Sequence, residues 1–106
     1  MKPVEDKRLQ RRIPVDIWME VEGEGGLYYQ RASNLSVGGA YFTQTFPLPF
    51  GSRAHLRFTL PGASEPIECQ AEIVNTKELG MGVRFLDLKP EDLRRIESLI
   101  DSHPGA

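Results

Sequence analysis

The chain has 106 residues, of which 40% are hydrophobic and 26% charged; that is one domain with one modest core, too short for a cofactor domain joined to a substrate domain. No apolar stretch approaches the roughly 18 residues of a membrane helix, the first residues show no signal-peptide core, and a lone cysteine excludes an internal disulfide or thiolate zinc site. A cytoplasmic protein without membrane insertion is therefore expected, and its net charge of −2 looks uninformative until it is divided along the chain.

Residues 1–12 hold Lys2, Lys7, Arg8, Arg11 and Arg12 against Glu5 and Asp6, whereas residues 13–106 carry a net −5. A basic segment on an acidic body is either an anion site or a solvated tail. Pro14 disfavours a helical Ile13, so this flexible lead should enter the first strand in extended form. The domain proper is expected over 13–102.

The periodicity of that domain is mostly that of β-structure. Val15, Ile17, Met19 and Val21 alternate with polar neighbours and Trp18, as a strand with one buried face requires. Two short strands should follow near 27–35 and 39–45. Ala54–Leu60 places its apolar residues on even positions, and Ile67–Ile73 on odd ones. Met81, Val83 and Phe85 form the last alternation. Gly23-Glu24-Gly25-Gly26, Pro47–Gly51, Pro61-Gly62 and Glu78-Leu79-Gly80 supply the turns. From Pro90 the period becomes helical: Leu93, Ile96, Leu99 and Ile100 share a face, and Pro104-Gly105 ends the helix at about 102. The expected fold is all-β, a small six-stranded antiparallel β-barrel with one C-terminal α-helix packed across an end or side.

Two constellations could carry chemistry. Arg8 and Arg12 are four residues apart on the basic lead, and guanidinium forks pair bidentately with phosphate or a guanine edge and stack on base planes. Asn34-Leu35-Ser36-Val37-Gly38-Gly39 offers an amide, a hydroxyl and two glycines at a strand junction. If that segment stays extended, Asn34 and Ser36 share one face while Leu35 and Val37 share the other. Alone it is also an ordinary hairpin.

Together the two resemble the signature of the PilZ domain, RxxxR followed by (D/N)xSxxG. Arg8-Leu9-Gln10-Arg11-Arg12 matches the first half and Asn34–Gly39 the second, with 21 residues between. Arg12-Ile13-Pro14-Val15, Gly51 and Gly82-Val83-Arg84-Phe85 extend the likeness over roughly residues 5–100. The resemblance implies a receptor for the bacterial second messenger cyclic di-GMP. Arg8 and Arg12 would contact guanine edges and phosphates, Asn34 and Ser36 would hydrogen-bond one guanine, and Gly39 would leave room for it. Lys7, Arg11, Gly38 and Arg84 are further candidate contacts. A single-domain adaptor of this kind would signal to an unidentified downstream protein by ordering its N-terminal segment. The alternative is a protein-interaction module on the same fold with weak or no ligand binding.

The remaining residues point elsewhere. Trp18 is expected to pack beneath the C-terminal helix rather than stack on a base. His55 and His103 should face solvent, and neither has a metal-ligand spacing. Cys69 falls on the inward register, which suits a buried, inert thiol. No nucleophile with its base, paired-carboxylate site or phosphate loop is evident, so no enzyme, metal or cofactor is expected. The acidic body argues against nucleic acid as a partner.

Overall fold

The computed structural model describes residues 11–103. Lys7 and Arg8 lie outside the described residues. Six strands, β1 (Ile13–Gly23), β2 (Gly26–Leu35), β3 (Gly39–Thr43), β4 (Arg53–Phe58), β5 (Ile67–Lys77) and β6 (Gly80–Phe85), precede helix α1 (Pro90–Ser102). All neighbours are antiparallel, and the order β1-β2-β3-β6-β5-β4 closes through pairing of β4 with β1. Closure leaves no sheet edge free to template aggregation.

The alternation read from the sequence is the alternation that folds. Ile17, Met19 and Val21 of β1, Ala54, Leu56 and Phe58 of β4, Ile67, Cys69, Ala71 and Ile73 of β5, and Met81 and Val83 of β6 all point into the barrel and are buried. Phe42 from β3 fills the centre, and Phe58 stacks with Phe85 at a ring separation of 6.0 Å. The β1–β2 hairpin turns through Gly25 and Gly26, both at positive φ (92° and 136°), which a Cβ would strain.

The register breaks where the two half-motifs lie. Between Ala32 and Asn34 the pairing of β2 with β3 shifts by one residue, a β-bulge at Ser33. Leu27, Tyr29 and Arg31 face outward and Ala32 faces inward. Without the bulge Asn34 would share the inward face of Ala32. With it Asn34 turns outward and Leu35 inward, where Leu35 is fully buried.

Helix α1 lies over the barrel end at which β1 begins and β4 ends. Pro90 opens it, and Glu91 and Asp92 occupy the first turn, where negative charge complements the helix dipole. Ile96 and Ile100 join the core and Leu93 and Leu99 pack against it. Side-chain bonds hold both ends of the helix to the barrel. Arg95 bridges the Asp92 carboxylate (3.0 Å) and the carbonyl of Glu65 in the β4–β5 loop (2.5 Å), and Arg11 donates to the carbonyl of Ile100 (3.3 Å) and to Asp101 (3.3 Å).

Two expectations need correction here. Trp18 does not pack beneath the helix: it stands on the outer face of β1 opposite Arg31, 60% exposed, because α1 covers the barrel end rather than that wall. His103 is not solvent-facing: it caps α1 through its backbone N–H to Ile100, is half-buried, and has its Nδ1 buried. His55 does lie on the outer face, with Nε2 3.3 Å from the Glu68 carboxylate. Cys69 is buried as expected. Desolvation pushes its thiol up to about 12, with Asp87 and then Asp92 adding to the rise, so it remains a protonated thiol at neutral pH.

Candidate functional site

Arg12, the residue before β1 begins, is exposed and donates from Nη1 to Oδ1 of Asn34 at 2.9 Å. The contact joins a residue of each half-motif. Its geometry follows from the hairpin register, in which Pro14 faces Asn34 and Asn34 in turn faces Tyr41 on β3. The bulge at Ser33 completes it, and Ser33 itself bonds the carbonyl of Tyr41 at 3.4 Å. A guanidinium has five N–H donors, and this bond to a neutral amide uses one. The others retain their capacity for an anion or a guanine edge.

Ser36 departs from the expected shared face with Asn34. β2 ends at Leu35, the chain then turns inward, and Ser36 is only 2% exposed. Its Oγ accepts from the backbone N–H groups of Gly38 (3.2 Å) and Gly39 (3.1 Å) and donates to the carbonyl of Gly39 (3.3 Å). The Ser36 N–H also bonds that carbonyl at 2.8 Å. The serine thus ties the β2–β3 turn to itself. Leu35 and Val37 are both buried, flanking it.

Gly39 has a structural reason of its own. It pairs with Arg84 across the β3–β6 ladder, and a Cβ at this position would sit 2.0 Å from the Val83 carbonyl oxygen. No side chain fits there unless the strands separate. Gly38 lies in the turn, half-exposed, with its N–H held by Ser36.

Arg84 arrives beside this turn because it pairs with Gly39, and its guanidinium is ion-paired with Glu72 of β5. Arg11 is not aimed at the Asn34 turn; it is committed to the C-terminal end of α1. Tyr41 and Glu72 are neighbours of the site that sequence reasoning did not single out. Only the strand register brings Tyr41 to Asn34 and Glu72 to Arg84, and no local pattern announces either. Among the described residues no cluster of histidine, cysteine or carboxylate side chains forms a metal cage.

A closed six-stranded barrel with a helix over one end, and an arginine lead-in bonded to an Asn-x-Ser turn at that same end, defines a small β-barrel domain with one polar cluster at its helix-covered end. The PilZ domain family model matches residues 6–102, and the chain belongs to that family. Solved structures agree on the fold. The Bacillus subtilis inhibitor of motility (MotI/DgrA) superposes with a TM-score of 0.73 at 21% identity, over 95% of this chain and 55% of that one. The PilZ domain with c-di-GMP of YcgR from Escherichia coli gives 0.68 at 17% identity, over 86% of each chain. The PilZ domain of CeSA from a cellulose-synthesizing bacterium gives 0.65 at 22%, over 85% of this chain and 94% of that one. The chain therefore spans about half the length (55%) of the motility inhibitor. No curated sequence matches it.

Proposed function

We propose that this protein is a receptor for cyclic di-GMP that acts as a non-enzymatic adaptor, with Arg8, Arg12 and Asn34 as its direct ligand contacts and Ser36 and Gly39 shaping the turn that presents Asn34. The observation that carries the reading is the hydrogen bond from Arg12 to Asn34, which joins the last residue of the first half-motif to the first residue of the second. Family membership and the fold likeness to a PilZ domain with c-di-GMP support the choice of ligand.

The chemistry is an exchange of partners. A ligand phosphate or guanine edge takes the Arg12 guanidinium from Asn34, replacing a single bond to an amide oxygen with a two-pronged contact that uses the planar fork. The Asn34 amide, released, turns its donor and acceptor to a guanine. Fixing six residues, the length of Lys7–Arg12, around a ligand costs about 6–12 kcal/mol of backbone entropy at roughly 1–2 per residue when none is held beforehand. Two bidentate guanine contacts at about 1–3 kcal/mol each do not offset this alone. Arg11 and Arg12 are already tied to the barrel, which lowers the cost, and phosphate pairing and stacking supply the remainder.

The same lead connects the site to α1. Arg11 grips the last turn of the helix while Arg12, its neighbour, holds Asn34. Movement of the lead on binding is then felt at the helix C-terminus, which offers a downstream protein a surface that differs between the two states. Titration calorimetry with cyclic di-GMP tests the reading on the parent protein, Arg8→Ala and Arg12→Ala. Saturable binding that both substitutions abolish is expected. Absence of binding to the parent leaves a PilZ-fold interaction module, and parent-like binding by both variants removes the assigned contacts.

A further inference from the structure

Among the large apolar side chains left on the surface, three form a row. Trp18 is 60%, Tyr29 64% and Leu27 54% exposed. In the β1–β2 register Trp18 opposes Arg31, Glu20 opposes Tyr29 and Glu22 opposes Leu27, so the three lie on the outer face as diagonal or next-but-one neighbours. Single exposed apolar residues need no explanation, whereas a contiguous row rimmed by polar groups marks an interaction site. Trp18 and Tyr29 also line an open depression of about 350 Å³ together with Glu20, Arg57, Phe58 and Pro61.

The rim carries both signs but is acidic in sum. Each arginine on this wall is already matched. Arg31 lies 3.4 Å from Asp16, and Arg57 sits between Glu20 (3.6 Å) and Glu68 (3.4 Å). Glu68 also faces His55. Glu22 and Glu24, at the hairpin end, have no cationic partner among the described residues. Carboxylates therefore exceed cations around an aromatic row, the complement of an apolar anchor flanked by lysine or arginine. An anionic membrane or a nucleic acid meets repulsion here. So does a second copy docking face to face, because a two-fold interface sets this acidic rim against itself.

We propose that the outer wall of the β1–β2 hairpin, centred on Trp18 and Tyr29, is the docking surface for a protein partner that presents a basic segment with an apolar anchor. The proposal rests on the adaptor reading above and supplies the face of the domain that the partner takes. Arg12 leads into β1 and Asn34 lies on β2, so the proposed ligand contacts among the described residues and the docking surface share one hairpin.

The test uses two short helical peptides with the same leucine and phenylalanine stripe, one carrying lysines and the other glutamates on its polar face. Trp18 is the only tryptophan, so its emission reports contact directly. The lysine peptide should shift that emission to the blue and bind at least about tenfold more tightly than the glutamate peptide, weakening with salt. By fluorescence polarisation, Trp18→Ser with Tyr29→Ser should weaken it about tenfold or more, and Glu22→Lys with Glu24→Lys should do so without touching the aromatic row. These positions are exposed, and unchanged melting temperatures establish that the variants fold. Equal binding of both peptides, or binding indifferent to Trp18 and Tyr29, overturns the proposal. So does a Trp18-dependent dimer in sedimentation, or Trp18-dependent binding to vesicles containing phosphatidylglycerol. Cyclic di-GMP titrations of the same variants separate the two readings. Ligand binding without the lysine peptide ends the docking surface alone, and lysine-peptide binding without cyclic di-GMP ends the receptor reading alone.

Discussion

Arg12 and Asn34, 22 positions apart in sequence, are bonded at 2.9 Å on the outside of the barrel. The bond is exposed, so it contributes little to stability, on the order of 0–1 kcal/mol. Its importance is positional: it parks a guanidinium over the amide that the ligand is proposed to need.

Asn34→Ala should therefore separate binding from folding. The melting temperature is expected to fall by only a few degrees, while affinity for cyclic di-GMP in calorimetry drops about tenfold or more, the scale of one or two lost hydrogen bonds to a guanine. Arg12→Lys should lose nearly as much as Arg12→Ala, because an ammonium has no planar fork. Full retention of affinity by Asn34→Ala removes the amide from the site.

Ser36→Ala should act in the opposite proportion. It strands the N–H groups of Gly38 and Gly39, which the hydroxyl serves at 3.2 and 3.1 Å within a buried turn. A loss of about 1–3 kcal/mol is expected in urea unfolding, with weakened ligand binding following from the disordered turn. Ser36→Thr, which keeps the oxygen, should recover part of the stability. A Ser36→Ala protein as stable as the parent would remove the turn-forming role.

Gly39→Ala should be the most damaging single change at the site. The added methyl meets the Val83 carbonyl oxygen at 2.0 Å, and because that oxygen is backbone no side-chain rotation relieves the clash. The β3–β6 ladder must open, at a cost of about 3 kcal/mol or more. Hydrogen exchange should then quicken at Tyr41 and Val83, on β3 and β6, before it quickens in β4. Uniform exchange would contradict a local origin.

Cys69 sets an alkaline limit. Its pKa is raised from 9.0 in the open chain to about 12 in the fold, chiefly by desolvation. The protonated thiol is favoured by folding, so its stabilising contribution is whole below pH 9 and is lost as pH rises towards 12. Across that window the parent should lose about 1.4 kcal/mol per pH unit relative to Cys69→Ala. At pH 8 the native thiol should resist an aromatic disulfide reagent and react at once in denaturant. Rapid native labelling would overturn this.

Most of the barrel was legible in the sequence because its determinants are local. Apolar alternation at positions 15–21, 54–60, 67–73 and 81–85 identifies the buried face of each strand, and the glycine and proline turns between them leave antiparallel pairing as the short solution. Helix α1 was equally legible, since Pro90 and the stripe through Leu93, Ile96, Leu99 and Ile100 are contained in one segment. The motif residues could be named for the same reason, as two short patterns at a fixed spacing.

What the sequence could not carry is which way each of those residues faces and what it meets. A single bulged residue, Ser33, reverses the parity of β2 and turns Asn34 outward, and no composition rule places a bulge. Ser36, expected beside Asn34, is instead buried in the turn it ties, and Arg11 leaves the Asn34 turn for the helix end. Trp18, expected under α1, stands in the open because the helix covers the end of the barrel rather than its wall. The division has one physical cause. Hydrophobic periodicity is a property of consecutive residues and survives in a linear chain. Register shifts, cross-strand neighbours and the resting place of a helix depend on pairs of residues far apart in sequence, and they exist only once the barrel has closed.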